Sequence, residues 1–356
     1  MTSQAGHLAT VGTALVLTAC QPASTGAGTD LLALLPEAVS NNAVAAVEID
    51  GRTAAYSFGG LHAGKTWADV TADAYACDLA TGACREIDGL PDSIGRLAAI
   101  AATANDQIYI FGGYTVAEDG SEQSTPEVWR FDPQGETYAR MRDMPLPVDD
   151  AVALVYEDRY IYLVSGWHDH DNVDAVQVYD TAENQWFDAT DWPGSPVFGH
   201  AGGILDNRIL VCGGVEVVPP ASEEARRTFE LYEACWAGDI DPDDIAQIDW
   251  QSAVLPGAAR YRAGMTGSVG PGRFVVIGGT DNPYNYNGIG YNGEPSAPLA
   301  MMMLIGEGEI DRITRPNSPA LMDHRGLIEW NGGFVTLGGM TDGQAVSREV
   351  RFVRLD

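Results

Sequence analysis

Basic side chains are scarce in this chain. Of its 356 residues, 20 are lysine or arginine and 50 are aspartate or glutamate, a formal net charge of −30. Such a surface repels nucleic acid and anionic membranes, so neither is an expected partner, and the acidity itself reads as a solvated surface that keeps the chain soluble. The apolar stretch from Leu8 to Leu17 is too short to span a bilayer. Cysteine is limited to five residues, and none of their spacings resembles a zinc site. The one segment dense in metal-capable side chains, His168 to Asp174, lacks the glycine that an EF-hand loop needs at its sixth position. Neither a metal nor a cofactor is therefore expected.

Glycine, by contrast, is abundant, with 41 residues, and it is patterned. Six short apolar runs end in a glycine doublet or a near relative: SFGG at 57–60, IFGG at 110–113, VSGW at 164–167, VCGG at 211–214, VIGG at 276–279 and TLGG at 336–339. The recurrence, roughly every 50 to 65 residues, is too long for a helical solenoid and falls in the range of propeller blades. Each doublet closes a strand pattern rich in Tyr, Ile, Val and Phe, where glycine allows close backbone approach and positive φ. Further on comes an aromatic residue, an aspartate, a polar turn and a second aromatic, as in Phe131-Asp132 to Tyr138 and Tyr179-Asp180 to Trp186. These read as hairpins, and Leu-Pro, Met-Pro or Trp-Pro pairs follow them at 90–91, 144–145, 192–193 and 255–256. One unit is thus a four-stranded antiparallel sheet.

The doublet followed by Tyr-Asp and Trp resembles the kelch motif, and the resemblance extends from Leu31 to Asp356. It implies an all-β, six-bladed kelch β-propeller occupying residues 30–356. The last repeat stops one strand short, whereas Asp30 to Pro36 looks like the tail of a repeat without a beginning. An N-terminal strand is therefore expected to complete the last blade and leave no open edge.

Ahead of the propeller, Leu17-Thr18-Ala19-Cys20 resembles the lipobox of a bacterial lipoprotein. That resemblance makes 1–20 a signal segment, Cys20 the lipid-bearing residue and 21–29 a flexible tether, with the protein exported to the periplasmic side of the outer membrane or to the cell surface. The segment carries His7 but no lysine or arginine, and an ordinary signal peptide is the other reading. In an exported chain, Cys77 and Cys84 would face each other across an outer hairpin and form a disulfide in place of an aromatic pair. Cys212 and Cys235 are open between a second bridge and two buried thiols.

Function in such a fold belongs where loops converge on one end of the central channel. The residues leading into each innermost strand include Asn41, Asn42, Arg96, Asp149, Asp150, His200, Arg260, Arg262, His324 and Arg325. Those just after each doublet include His62, Tyr114, Trp167, His168, Glu216, Asp281, Tyr284 and Met340. From these, Arg96, Asp150, Trp167, His168, His200, Arg262, His324 and Arg325 form the expected ligand-binding set. Guanidinium forks suit carboxylates, and aromatic faces suit sugars, so a small polar molecule, a glycan or a partner protein is the expected occupant. The same arginines and histidines could equally tie blades together. The long segments Val215 to Thr228 and Asp281 to Gly293 read as functional rims. Among exported six-bladed kelch proteins the chain is similar to the N-acetylneuraminate epimerase group. That similarity implies, as the alternative to a binding role, an isomerase that opens and closes an acidic sugar ring, with Asp149, Asp150 and His200 as candidate acid and base.

Overall fold

The computed structural model describes residues 1, 29–91, 94–220, 227–268, 270, 272–306, 309–313 and 320–355, with 309–313 described by backbone alone. Cys20 and residues 21–28 of the expected tether lie outside the described residues, while Thr29, its last residue, begins a strand. Among those described, helical structure is limited to two short 3₁₀ turns, Trp67–Asp69 and Asp342–Gln344, and no helix is long and apolar enough to cross a membrane.

Six four-stranded antiparallel sheets follow one another around a central axis. Their innermost strands are Ala43–Ile49, Ile100–Ala104, Val152–Tyr156, Ala201–Leu205, Gly264–Ser268 and Ile328–Trp330, which number blades one to six. In blade six the second and third strands are Gly333–Leu337 and Glu349–Arg354, and the fourth is the N-terminal segment Thr29–Leu34. That segment pairs antiparallel with Glu349–Arg354, placing Thr29 opposite Val353. The expected closure is therefore present.

The glycine doublets serve the seams between blades. In five blades the amide of the second doublet residue donates to a carbonyl of the next blade: Gly60 to Arg96, Gly166 to Val197, Gly214 to Arg260, Gly279 to Leu321 and Gly339 to Val39. The first doublet residue sits in left-handed backbone pressed against the same carbonyls. A Cβ on Gly278 would stand 2.1 Å from the Leu321 oxygen, so only glycine fits there. Blade three departs from the pattern with Ser165, which holds φ 53° and uses its hydroxyl on the seam, donating to Val197 O at 2.9 Å and accepting from Val197 N at 2.9 Å.

Side chains fill the rest of each seam. Phe58 of blade one packs edge-on to Phe131 of blade two at 5.4 Å, and Tyr109 and Phe111 of blade two meet Tyr179 of blade three at 5.7 and 5.8 Å. Phe131 pairs across its hairpin with Tyr138, Tyr179 with Trp186, and at the same place in blade one stands the Cys77–Cys84 disulfide. Cys212 and Cys235 are bridged as well, linking the second and third strands of blade four.

A backbone ring unites all six blades. The amide of Asn41 donates to Asp323 O, Asp323 to Arg262 O, Arg262 to Gly199 O, Gly199 to Asp150 O, Asp150 to Ala98 O, and Ala98 to Asn41 O, at 2.7 to 3.2 Å. Every member is left-handed, with φ between 50° and 64°, although only one is glycine. Five non-glycine residues accept that backbone strain, which closure of the ring holds in place.

Replacing both Cys212 and Cys235 by alanine should lower stability by about 3 kcal/mol, the loop-closure entropy for a bridge of this span. Calorimetry should show a lower thermal midpoint, and added reductant should then shift the variant less than the parent.

Candidate functional site

The residues expected to crowd one mouth fall on successive positions with different destinations. Two residues before the ring stand Arg96 and Arg260. Both are buried, each with its carbonyl on a seam, accepting from Gly60 N and Gly214 N, and its side chain turned into its own repeat: Arg96 Nη1 donates to Gly112 O at 2.9 Å and Nη2 lies 3.6 Å from Glu127, while Arg260 Nη2 donates to Gly257 O at 2.9 Å. One residue after the ring stand His200 and His324, also buried. His200 Nε2 bonds the Val164 carbonyl of the neighbouring blade at 2.9 Å. Burial pushes both imidazoles down to about 4, so they are neutral near pH 7.

On the ring itself lie Asn41, Asp150, Arg262 and Asp323, with Arg325 two residues further on. Arg262 bridges two carboxylates, Asp150 at 2.7 Å and Asp323 at 3.1 Å. Arg325 bonds the other oxygen of Asp150 and the side-chain oxygen of Asn41. Two guanidiniums thus meet two carboxylates, all nearly inaccessible. The fork geometry that suits a ligand carboxylate is here met by the protein's own acids. Below this cluster the innermost strands surround a cavity of about 380 Å³, with His200, Arg262, His324 and Arg325 near one end and mainly Ala, Val, Ile and Gly along its wall.

On the loop side, the expected polar pit is replaced by an apolar plug. One residue before the ring come Leu97, Phe198, Tyr261 and Met322, and they pack with Leu61, Tyr114, Val215, Tyr284 and Met340, contributed by the loops after the doublets. The reason is geometric: each pre-ring residue bridges to a post-doublet residue, as Leu97 does to Tyr114 and Tyr261 to Thr280, and the paired side chains turn toward the axis. Asp149 occupies the same position, bridged to Trp167, and is the one acid in that row. It is 2 % exposed and accepts a hydrogen bond from Ser124 Oγ at 2.7 Å. Burial pushes its carboxyl up to about 8, the Ser124 bond acting in the opposite sense and the Glu122 charge in the same one. Arg262 is stacked inside the plug, 4.8 and 5.2 Å from the Tyr261 and Tyr284 rings.

Above the plug, half-exposed aromatics form a shallow face. Trp167 and His168 lie on a small ribbon, with His168 Nδ1 2.8 Å from the Pro147 carbonyl. Trp167 packs against Phe229 at 6.1 Å, and Phe229 stacks on Tyr291 at 4.3 Å. The Arg227 guanidinium covers Trp167 at 5.0 Å and Phe229 at 5.5 Å. Tyr291 and Ile289 are both 38 % exposed. Tyr291 comes from one of the two long rim segments and Phe229 stands one residue past the end of the other, segments whose length marked them in the sequence although no single residue did. Of the expected ligand-binding set, Trp167 and His168 reach this face; Arg96, Asp150, His200, Arg262, His324 and Arg325 do not. Asp150 and His200 each have other partners rather than one another.

Comparison with known proteins agrees with this architecture. The family model described as Kelch motif matches residues 98–145. Kelch-like protein 15 of Gallus gallus is 30% identical over 149 residues, covering 38% of this chain and 30% of its own length. Kelch-like protein 33 of Homo sapiens is 27% identical over 114 residues, covering 32% of this chain and 21% of its own. The chain spans less than a third of the length of these curated relatives. The solved structure of YjhT superposes with a TM-score of 0.71 at 15% identity, covering 92% of this chain and 98% of that one. With its six doublets, its six four-stranded blades and these matches, the chain carries a kelch motif and has the fold of a six-bladed β-propeller.

Proposed function

We propose that this propeller is a binding module that takes a partner protein on its loop face. The observation that carries the reading is the cluster of Trp167, Phe229, Tyr291 and Arg227, residue types that dominate binding energy at protein interfaces. Their arrangement favours a protein over a glycan. Arg227 already covers Trp167, and Phe229 and Tyr291 stack on each other, so the flat faces a sugar would need are taken. The Asp150, Arg262 and Arg325 cluster is assigned an architectural role, since its charges are matched internally.

Export and lipid attachment at Cys20 belong to the same proposal. Two disulfides suit an oxidising compartment, and the Leu17 to Cys20 sequence supplies the attachment thiol. The alternative, an isomerase of an acidic sugar, has one feature in its favour: burial pushes the Asp149 carboxyl up to about 8, the direction a general acid requires.

A photocrosslinking residue placed at Ile289 should trap a discrete partner in the source cell envelope. Combining it with Trp167→Ala and Tyr291→Ala should cut the yield by about 30-fold or more at unchanged fold stability, as loss of hot-spot side chains does. Unchanged capture, or equal capture of glycan on an array, would remove the reading. In the same assay Asp150→Asn should leave the face intact yet cost about 3 to 5 kcal/mol in denaturant titration, because two buried guanidiniums lose their carboxylate.

Asp149 makes a signed contribution to the pH dependence. Its folded pKa lies above the unfolded value, so its stabilising proton is fully present below about pH 4 and is lost as pH rises toward about 8. Asp149→Asn should flatten that decline in stability measured across pH 4 to 8. If Asp149→Asn also abolishes anomer exchange of an acidic sugar followed by NMR, the isomerase reading gains over binding. For the anchor, Cys20→Ser should move the protein from the membrane fraction to the soluble one, and equal membrane retention would rule out the attachment.

A further inference from the structure

We infer that Glu37, His62 and Asp73 form a divalent-cation site at the seam between blades six and one. Glu37 follows the closing strand Thr29–Leu34, His62 follows the first glycine doublet, and Asp73 lies on the third strand of blade one, Val70–Asp78. The three groups meet in a surface cleft that also contains Asp69 and Arg348. One potential ligand atom from each lies within 4.8 Å of the other two.

The imidazole carries the argument. His62 is 15 % exposed, and both its nitrogens face carboxylate oxygens, Nδ1 to Glu37 at 2.6 Å and Nε2 to Asp73 at 3.2 Å. A neutral imidazole has one donor and one lone pair. With Nδ1–H given to Glu37, the Nε2 lone pair points at an Asp73 lone pair. Nε2 is buried and makes no hydrogen bond of ordinary geometry. A cation at the point between Nε2 and Asp73, a second proton or a metal ion, joins the two groups, and Nε2 and the Asp73 oxygen 3.2 Å apart are spaced as a pair of metal ligands.

A bound ion satisfies every group at once. Two ligand atoms 3.2 Å apart, each about 2.1 Å from a common ion, subtend about 100° at it, compatible with tetrahedral or octahedral coordination. Glu37 then takes the outer role of a carboxylate that holds the Nδ1 proton and orients the ring. Nitrogen with carboxylate oxygen suits a borderline ion such as Zn²⁺. The neighbouring basic groups are directed elsewhere: Arg348 Nε donates to Leu35 O and Lys65 Nζ to Gln344 O, each at 2.8 Å. Neither forms an ion pair with Glu37 or Asp73 among the described residues. No sequence spacing announces the site, because its groups come from three separate segments.

Calorimetric titration of the chelator-stripped chain with Zn²⁺ at pH 7 tests the inference. One equivalent should bind, with affinity falling at least tenfold in His62→Gln and in Asp73→Asn, and about 10- to 100-fold in Glu37→Gln, as loss of an outer carboxylate does. Nitrogen NMR of His62 should show the Nε2 resonance move to the position of a metal-coordinated nitrogen when zinc is added. Two results overturn the assignment: stoichiometric zinc binding that survives His62→Gln, or absence of stoichiometric binding by the parent chain. The surface position of all three side chains keeps the variants foldable, and the thermal midpoint of each metal-free variant checks this directly.

Discussion

Six backbone hydrogen bonds arranged in a circle set the terms for this propeller. Each blade gives an amide to its predecessor and a carbonyl to its successor, so the angle between blades must repeat six times and return to its starting point. The ring needs left-handed backbone at every member, and five of the six are residues that ordinarily avoid it. A strained conformation of this kind persists only where its surroundings over-determine it. Here the surroundings are the glycine seams outside the ring, the apolar plug on the loop side and the paired charges on the ring itself.

The charge cluster follows from that constraint. Left-handed backbone is best tolerated by short polar side chains that bond locally, and Asn41, Asp150 and Asp323 are of that type. Their carboxylates and amide are buried, and there an unpaired charge is expensive. Arg262 and Arg325 supply the counter-charge and link blades three, five and six across the axis as they do so. The exposed aromatic side chains consequently lie farther out, on the longer loops rather than on the ring.

The fold was legible because glycine was required rather than merely favoured. Gly278 and Gly338 have left-handed backbone with a carbonyl of the next blade 2.1 and 2.3 Å from any added Cβ, so the doublet survives in the sequence as a marker. The closing strand was legible for a similar reason, since a missing fourth strand must come from somewhere. The site was less legible because its logic turns on single-residue offsets. Arg260 and Arg262 are two apart, yet one serves a seam and the other the ring. His200, one residue past the ring, turns into a seam, while Asp149, one residue before it, turns into the plug. Alignment by repeat brings such residues to the same neighbourhood without telling which way each faces. Phe229 and Tyr291 could not be paired in advance, because their contact depends on how two long loops lean together.

Closure of blade six also orders events in time. Thr29 meets Arg351 across 322 positions of chain, so the first strand to be synthesised waits for the last. Until then blade six lacks its outer strand and the ring lacks one of its two bonds to Asp323, however well the middle blades have formed. Loop closure over that span adds little to the entropy cost beyond what a shorter loop would require, but it makes the final step slow. The circle of six amides is thus a late check on the whole propeller: it is complete only when the two ends of the fold have met.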